Sequence, residues 1–69
     1  MPVKAYEHRT QEVIRLFLNN SISFPECIEA LDEAFLAIVT EVTGKELLDL
    51  TALTVANNAT VMREMERRG

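Results

Sequence analysis

The sequence predicts an all-α fold of three helices, in which the second and third form an antiparallel αα-hairpin. Two helix-start signatures support this fold: Ser23 is followed by Glu26, and Thr43 is followed by Glu46. In each, a hydroxyl and a carboxylate three residues later can satisfy two unpaired backbone N–H groups reciprocally. Apolar residues between these points recur every three or four positions. We therefore expect one domain, residues 1–69, with helices at about 3–18, 24–42 and 45–67.

The first helix has one apolar face, formed by Tyr6, Thr10, Val13, Ile14 and Phe17. At about 100° per residue these side chains project to the same side of a helix. The Asn-Asn-Ser sequence at 19–21 should end the helix, because its side chains compete for backbone hydrogen bonds.

The second helix has the most regular apolar stripe in the chain: Phe24, Cys27, Ile28, Leu31, Ala34, Phe35, Ile38, Val39 and Val42. The β-branched residues near its end weaken the last turn, since such side chains lose rotamer freedom in a helix. The joint at residues 43–44 is short, and we expect the third helix to fold back on the second there.

The third helix should place Leu47, Leu48, Val55, Val61, Met62 and Met65 on its apolar face. Thr51, Thr54 and Asn58 fall in the middle of that face. Two Asn58 side chains meeting across a two-fold axis would satisfy each other and fix the register of a dimer. Two alternatives stay open: the middle of the helix faces water, or these polar residues line a ligand pocket between helices.

A chain of 69 residues needs support beyond its own core, since one core this small supplies only about 3–5 kcal/mol. A single cysteine excludes an internal disulfide, and one cysteine with one histidine falls short of the four ligands of a structural zinc site. We expect no cofactor and no metal. A homodimer that forms a helical bundle is the remaining support. The predicted interface consists of Leu36, Leu50, Leu53, Thr54, Asn58, Val61, Met62 and Met65.

No residue pattern predicts an enzyme. Cys27 begins the second helix, where a reactive thiolate is one interpretation and a small buried apolar residue is the one we favour. His8 lies opposite the apolar face of the first helix without a serine or cysteine beside it. Glu26, Glu29 and Glu33 share a helix face, but no Glu-x-x-His pair accompanies them, so we interpret them as a solvated surface.

The predicted function is a small non-enzymatic protein–protein interaction or regulatory module that acts as a homodimer. A cytoplasmic location is expected, because the chain shows no signal peptide, no run of about 18 apolar residues and only one cysteine. The alternative is a nucleic-acid-associated regulator that contacts phosphates through Arg63, Arg67 and Arg68. The net charge of −4 argues against it, as does the middle of the chain, residues 21–43, with five acidic and no basic residues.

Overall fold

In a computed structural model of the protein, residues 2–69 are described and form three α-helices. Helix α1 spans Pro2–Leu18, α2 spans Phe24–Ile38 and α3 spans Lys45–Arg68. No β-strand occurs in this part of the chain. The molecule is elongated, with extents of 38 × 17 × 15 Å. The prediction of an all-helical fold with three helices is confirmed.

Helix α1 is the element against which both other helices pack, whereas α2 and α3 contact each other only weakly. The core divides into two clusters of buried residues. The first joins the end of α1 to the start of α2 and the end of α3, through Ile14, Phe17, Cys27, Leu31 and Val61. The second joins the start of α1 to the end of α2 and the start of α3, through Tyr6, Ala34, Val42 and Leu50. Helices α1 and α3 therefore run parallel, and α2 is antiparallel to both.

The start of α2 matches the predicted capping box. The backbone N–H of Ser23 donates to Glu26 Oε1 at 2.9 Å, and the backbone N–H of Glu26 donates to Ser23 Oγ at 3.3 Å. Ile22, just before the cap, packs against the core cluster that contains Cys27. This contact fixes the direction in which the chain enters the helix.

The end of α2 differs from the prediction, because the helix stops at Ile38 and not near Val42. Residues 39–44 form a connection of six residues, longer than the tight joint that was expected. Four of them are β-branched and gain little from continuing the helix. Leaving the helix also lets Val42 pack beside Leu50, where only 4% of it is exposed.

The second predicted capping box, Thr43 with Glu46, does not form. Gly44 is the N-cap of α3 instead, with φ 59° and ψ −128°, and no side chain caps the helix. Its carbonyl accepts from the backbone N–H groups of Leu47 at 3.1 Å and Leu48 at 3.3 Å. Glycine adopts a positive φ without steric strain, so the chain turns there and Thr43 stands one residue too early to cap.

The buried face of α3 matches the predicted one only in part, at Thr54, Val61 and Met65. Leu50 and Val61 are fully buried, Glu64 is buried, and Thr54 and Asn57 are half-buried. These five residues recur at steps of three and four and face the rest of the molecule. Four residues expected on the buried face are exposed instead: Leu47, Leu48, Val55 and Met62. Helix α3 carries apolar residues on two sides, and apolar periodicity does not specify which side α1 covers.

Candidate functional site: the outer face of α3

An apolar strip runs along the side of α3 that faces away from the core. We call it the outer face; its residues are Leu48, Ala52, Val55, Ala59 and Met62, all of them exposed. Their steps of four and three match the heptad spacing by which one helix packs along another. At about 1.5 Å per residue the strip is roughly 21 Å long.

The outer face is separate from the residues that hold α3 in the molecule. Leu50, Asn57 and Glu64 lie on the opposite side of the helix, where Leu50 is fully buried. Four of the six exposed large apolar residues within residues 2–69 are on α3. A row of exposed apolar side chains on one side of a helix makes the outer face the candidate interaction site of the molecule.

The two flanks of the outer face differ in chemistry. One flank carries Asp49 near the start of the strip and Arg63 near its end, and both are exposed. Neither forms a salt bridge with any residue in the described part of the chain. The other flank carries Thr51, Asn58 and the half-buried Met65. The charges thus stand on one side of the strip, at opposite ends.

The eight residues of the predicted interface do not form one surface. Leu36, Asn58 and Met62 are exposed. Leu53, Thr54 and Met65 are half-buried. Leu50 and Val61 are fully buried within the protein's own core, so they are not accessible to a second folded copy. Of the eight, Met62 lies on the outer face and Asn58 on its flank, while Leu36 lies on α2.

A hydrogen bond that the sequence did not suggest joins Tyr6 of α1 to Thr54 of α3. Their hydroxyl oxygens are 2.8 Å apart. Because the Thr54 hydroxyl donates to the Leu50 carbonyl at 2.9 Å, Tyr6 is the donor to Thr54. Thr54 is therefore already satisfied inside the chain and stabilises the packing of α3 on α1.

Two of the three arginines proposed to contact phosphates bind a carboxylate of the same helix. Arg67 donates to both carboxylate oxygens of Glu64, at 2.9 and 2.5 Å, and Arg68 donates to Glu64 Oε2 at 2.8 Å. The bonds from Arg67 and then Arg68 lower the pKa of Glu64 to about 2. Arg63 is the remaining member of the three and is exposed.

The candidate catalytic residues lie apart from one another. Cys27 is fully buried in the first core cluster, and desolvation raises the pKa of its thiol. His8 is exposed on α1. Residues 2–69 contain no group of three or more His, Cys, Asp or Glu side chains that could hold a metal ion.

An open groove lies between α1 and α3 beside Ile14, Leu18, Asn57 and Thr60. The Asn57 Nδ2 atom is buried and finds no hydrogen-bond partner among the described residues. Asn57, and not Asn58, is thus the amide that faces the core. The polar ligand pocket considered from the sequence stays a prediction.

Comparison with known proteins does not assign a family: no protein-family model, no curated protein and no solved structure matches this chain. No helix within residues 2–69 has both the length and the apolar character needed to span a membrane. The surface of the molecule, and above all the outer face of α3, is therefore the evidence for its function.

Proposed function

We propose that this protein is a small non-enzymatic interaction or regulatory module that acts as a homodimer through the outer face of α3. The observation that supports this most is the exposure of Leu48, Val55 and Met62 at heptad spacing on a helix of 24 residues. Covering such side chains contributes about 1.5–3 kcal/mol for each one fully buried.

The length of α3 favours a dimer formed along this helix. A stable interface takes about 800 Å² from each partner, which is roughly one sixth of the 4719 Å² exposed here. Helix α3 is about 36 Å long at 1.5 Å per residue, close to the 38 Å long axis of the molecule. The outer face covers roughly 21 Å of that length, so it forms the centre of the proposed contact, and its flanks supply the rest.

The small core favours the same proposal. Its two clusters together contain nine buried apolar residues among residues 2–69. A core of this size in a chain without a disulfide gains from any further apolar burial. A second copy is always present at the concentration of the first, which makes it the simplest source of that burial.

The burial of the Cys27 thiol supports the non-enzymatic part of the proposal. A nucleophilic cysteine requires access and a lowered pKa. Cys27 has neither, since it is fully buried and burial raises its pKa. The same free thiol supports a cytoplasmic location, because unpaired cysteines suit a reducing compartment. The nucleic-acid alternative gains no support from the geometry, because Glu64 already binds Arg67 and Arg68.

The proposal is tested by a pair of matched substitutions, Leu48→Glu on α3 and Leu36→Glu on α2. Both leucines are highly exposed, 71% and 66%, so neither change disturbs the core. Sedimentation should give a dimer for the unmodified chain and for Leu36→Glu, and a monomer for Leu48→Glu at the same concentration. A dimer that survives Leu48→Glu but not Leu36→Glu would move the interface to α2.

A further inference from the structure

We infer that two copies pair through their outer faces in antiparallel orientation, with Asp49 of each copy opposite Arg63 of the partner subunit. This inference rests on the proposed function and specifies its geometry. In the same arrangement the two Asn58 side chains meet near the two-fold axis. Three features of α3 support it independently: the sizes of the apolar residues, the positions of the charges, and the place of the amide.

The apolar residues of the outer face alternate between large and small. Leu48, Val55 and Met62 occupy one heptad position, and Ala52 and Ala59 occupy the other. When two such helices run antiparallel, each layer pairs one position with the other, so Val55 and Met62 each meet an alanine, while Leu48 lies at the end of the strip beside the partner subunit's Glu66. Val55 then packs beside the partner subunit's Ala59, and Met62 packs beside the partner subunit's Ala52.

In a parallel pair each residue of the outer face would lie opposite the same residue of the partner subunit. Alanine would then meet alanine and leave gaps, while Leu48 and Met62 would each face a copy of themselves. Interfaces pack to the density of protein interiors, so the empty alanine layers of a parallel pair are unfavourable. The size pattern of the outer face therefore favours the antiparallel orientation.

The charges lead to the same orientation. Asp49 and Arg63 lie on one flank, separated by four helical turns, about 21 Å. In an antiparallel pair the charged flank of one copy faces the charged flank of the partner subunit, so each aspartate lies opposite an arginine. In a parallel pair the charged flank faces the uncharged flank, with Thr51, Asn58 and Met65, and neither charge meets an opposite one. Two ion pairs thus form only in the antiparallel dimer.

The register that pairs Asp49 with the partner subunit's Arg63 also defines what lies at the centre. The midpoint of the charged flank is Ala56, whose small, exposed side chain permits close approach of the helices. On the other flank the central residue is Asn58, which is exposed. An amide is both donor and acceptor, so two Asn58 side chains can bond to each other across the axis. A polar pair of this kind favours one register over its neighbours.

The test is a charge-reversal cycle on the full chain, with the dimer Kd measured by sedimentation. Asp49→Arg alone or Arg63→Asp alone places like charges together twice in the dimer, so each should raise the Kd by about tenfold. The double variant Asp49→Arg with Arg63→Asp restores both opposite pairs, and its Kd should return to near that of the unmodified chain. Each variant should stay helical because both side chains are exposed, and circular dichroism checks this.

A second measurement separates orientation from general charge effects. Ala52→Cys is treated with a short thiol crosslinker while Cys27 is protected by burial. Residue 52 lies opposite the partner subunit's Met62 in the proposed dimer, so little crosslinked dimer should form. A parallel dimer would place the two new thiols side by side and crosslink fully.

The outcomes distinguish the two proposals. A dimer whose single reversals are not rescued by the double variant, or that crosslinks fully at position 52, overturns the antiparallel register and leaves the homodimer in place. An unmodified chain that stays monomeric throughout overturns both. Rescue by the double variant together with weak crosslinking supports both.

Discussion

The guanidinium of Arg68 lies 4.3 Å from the centroid of the Phe17 ring and donates a 2.8 Å hydrogen bond to the Phe17 main-chain carbonyl. Glu64 holds the same guanidinium through its carboxylate. Phe17 is fully buried in the first core cluster. One side chain thus joins the last turn of α3 to the last turn of α1, at a carbonyl that also accepts from the backbone N–H of Asn20 at 3.1 Å.

Replacing Arg68 should therefore weaken the whole fold. Arg68→Ala removes a cation–π contact and a hydrogen bond to the backbone, and we expect the free energy of unfolding to fall by about 1–2 kcal/mol. Arg67→Ala is the matched control, because Arg67 also binds Glu64 but is much more exposed. Urea denaturation of the two variants measures the difference. Equal losses in both would show that the Phe17 contact contributes nothing.

The Glu64 carboxylate should make stability depend on pH in the acid range. Its pKa is about 2 in the folded chain because Arg67 and Arg68 bind it, against an ordinary value of 4.5. Because this pKa is lower in the folded chain than in the unfolded chain, the Glu64 carboxylate contributes fully to the free energy of unfolding above about pH 4.5. That contribution is lost as the pH falls towards 2. Urea denaturation at a series of pH values measures this loss.

Glu64→Gln is the control for that pH dependence. This variant cannot titrate at position 64, so its stability should fall less steeply between pH 4.5 and 2 than that of the unmodified chain. Part of the slope should remain, since hydrogen bonds from Ser23 also lower the pKa of Glu26. Superimposable curves for the two proteins would contradict the assigned role of Glu64.

The two helix-start signatures should respond differently to the same change. Ser23→Ala removes a side chain that caps α2, and we expect a loss of about 1 kcal/mol of stability. Thr43→Ala should have a much smaller effect, because Gly44 is the N-cap of α3. Thermal or urea unfolding of both variants provides the comparison. A loss in Thr43→Ala as large as in Ser23→Ala would indicate that Thr43 caps α3 in solution.

The Cys27 thiol should react only when the protein opens. It is fully buried, and desolvation raises its pKa, so both access and the thiolate fraction are low in the folded chain. Labelling with a thiol reagent at pH 8 should be slow in buffer and become fast in denaturant. Fast labelling under native conditions, with the helical signal intact, would show that the first core cluster is open.

Local features of the fold could be predicted from the sequence. The buried face of α1, with Tyr6, Ile14 and Phe17, follows from a single apolar stripe. The cap at Ser23 follows from residues three positions apart, whose geometry depends little on the rest of the molecule.

Features that depend on distant contacts could not be predicted. Helix α3 has apolar residues on two sides, and the packing of α1 decides that Leu50 is buried and Leu48 exposed. The end of α2 at Ile38 depends on a core position for Val42 beside Leu50. The contact of Arg68 with Phe17 joins residues far apart in sequence. From the sequence alone, the basic residues at the end of α3 are therefore interpreted as accessible to phosphates.

The molar mass of the folded protein in solution tests the central claim most directly. Light scattering on the unmodified chain at high micromolar concentration should give twice the chain mass of 7.8 kDa. The melting temperature should fall on dilution, because a second copy stabilises the folded state by mass action. A fully helical sample with a mass of 7.8 kDa and a melting temperature independent of concentration would contradict the homodimer and the role proposed for the outer face of α3.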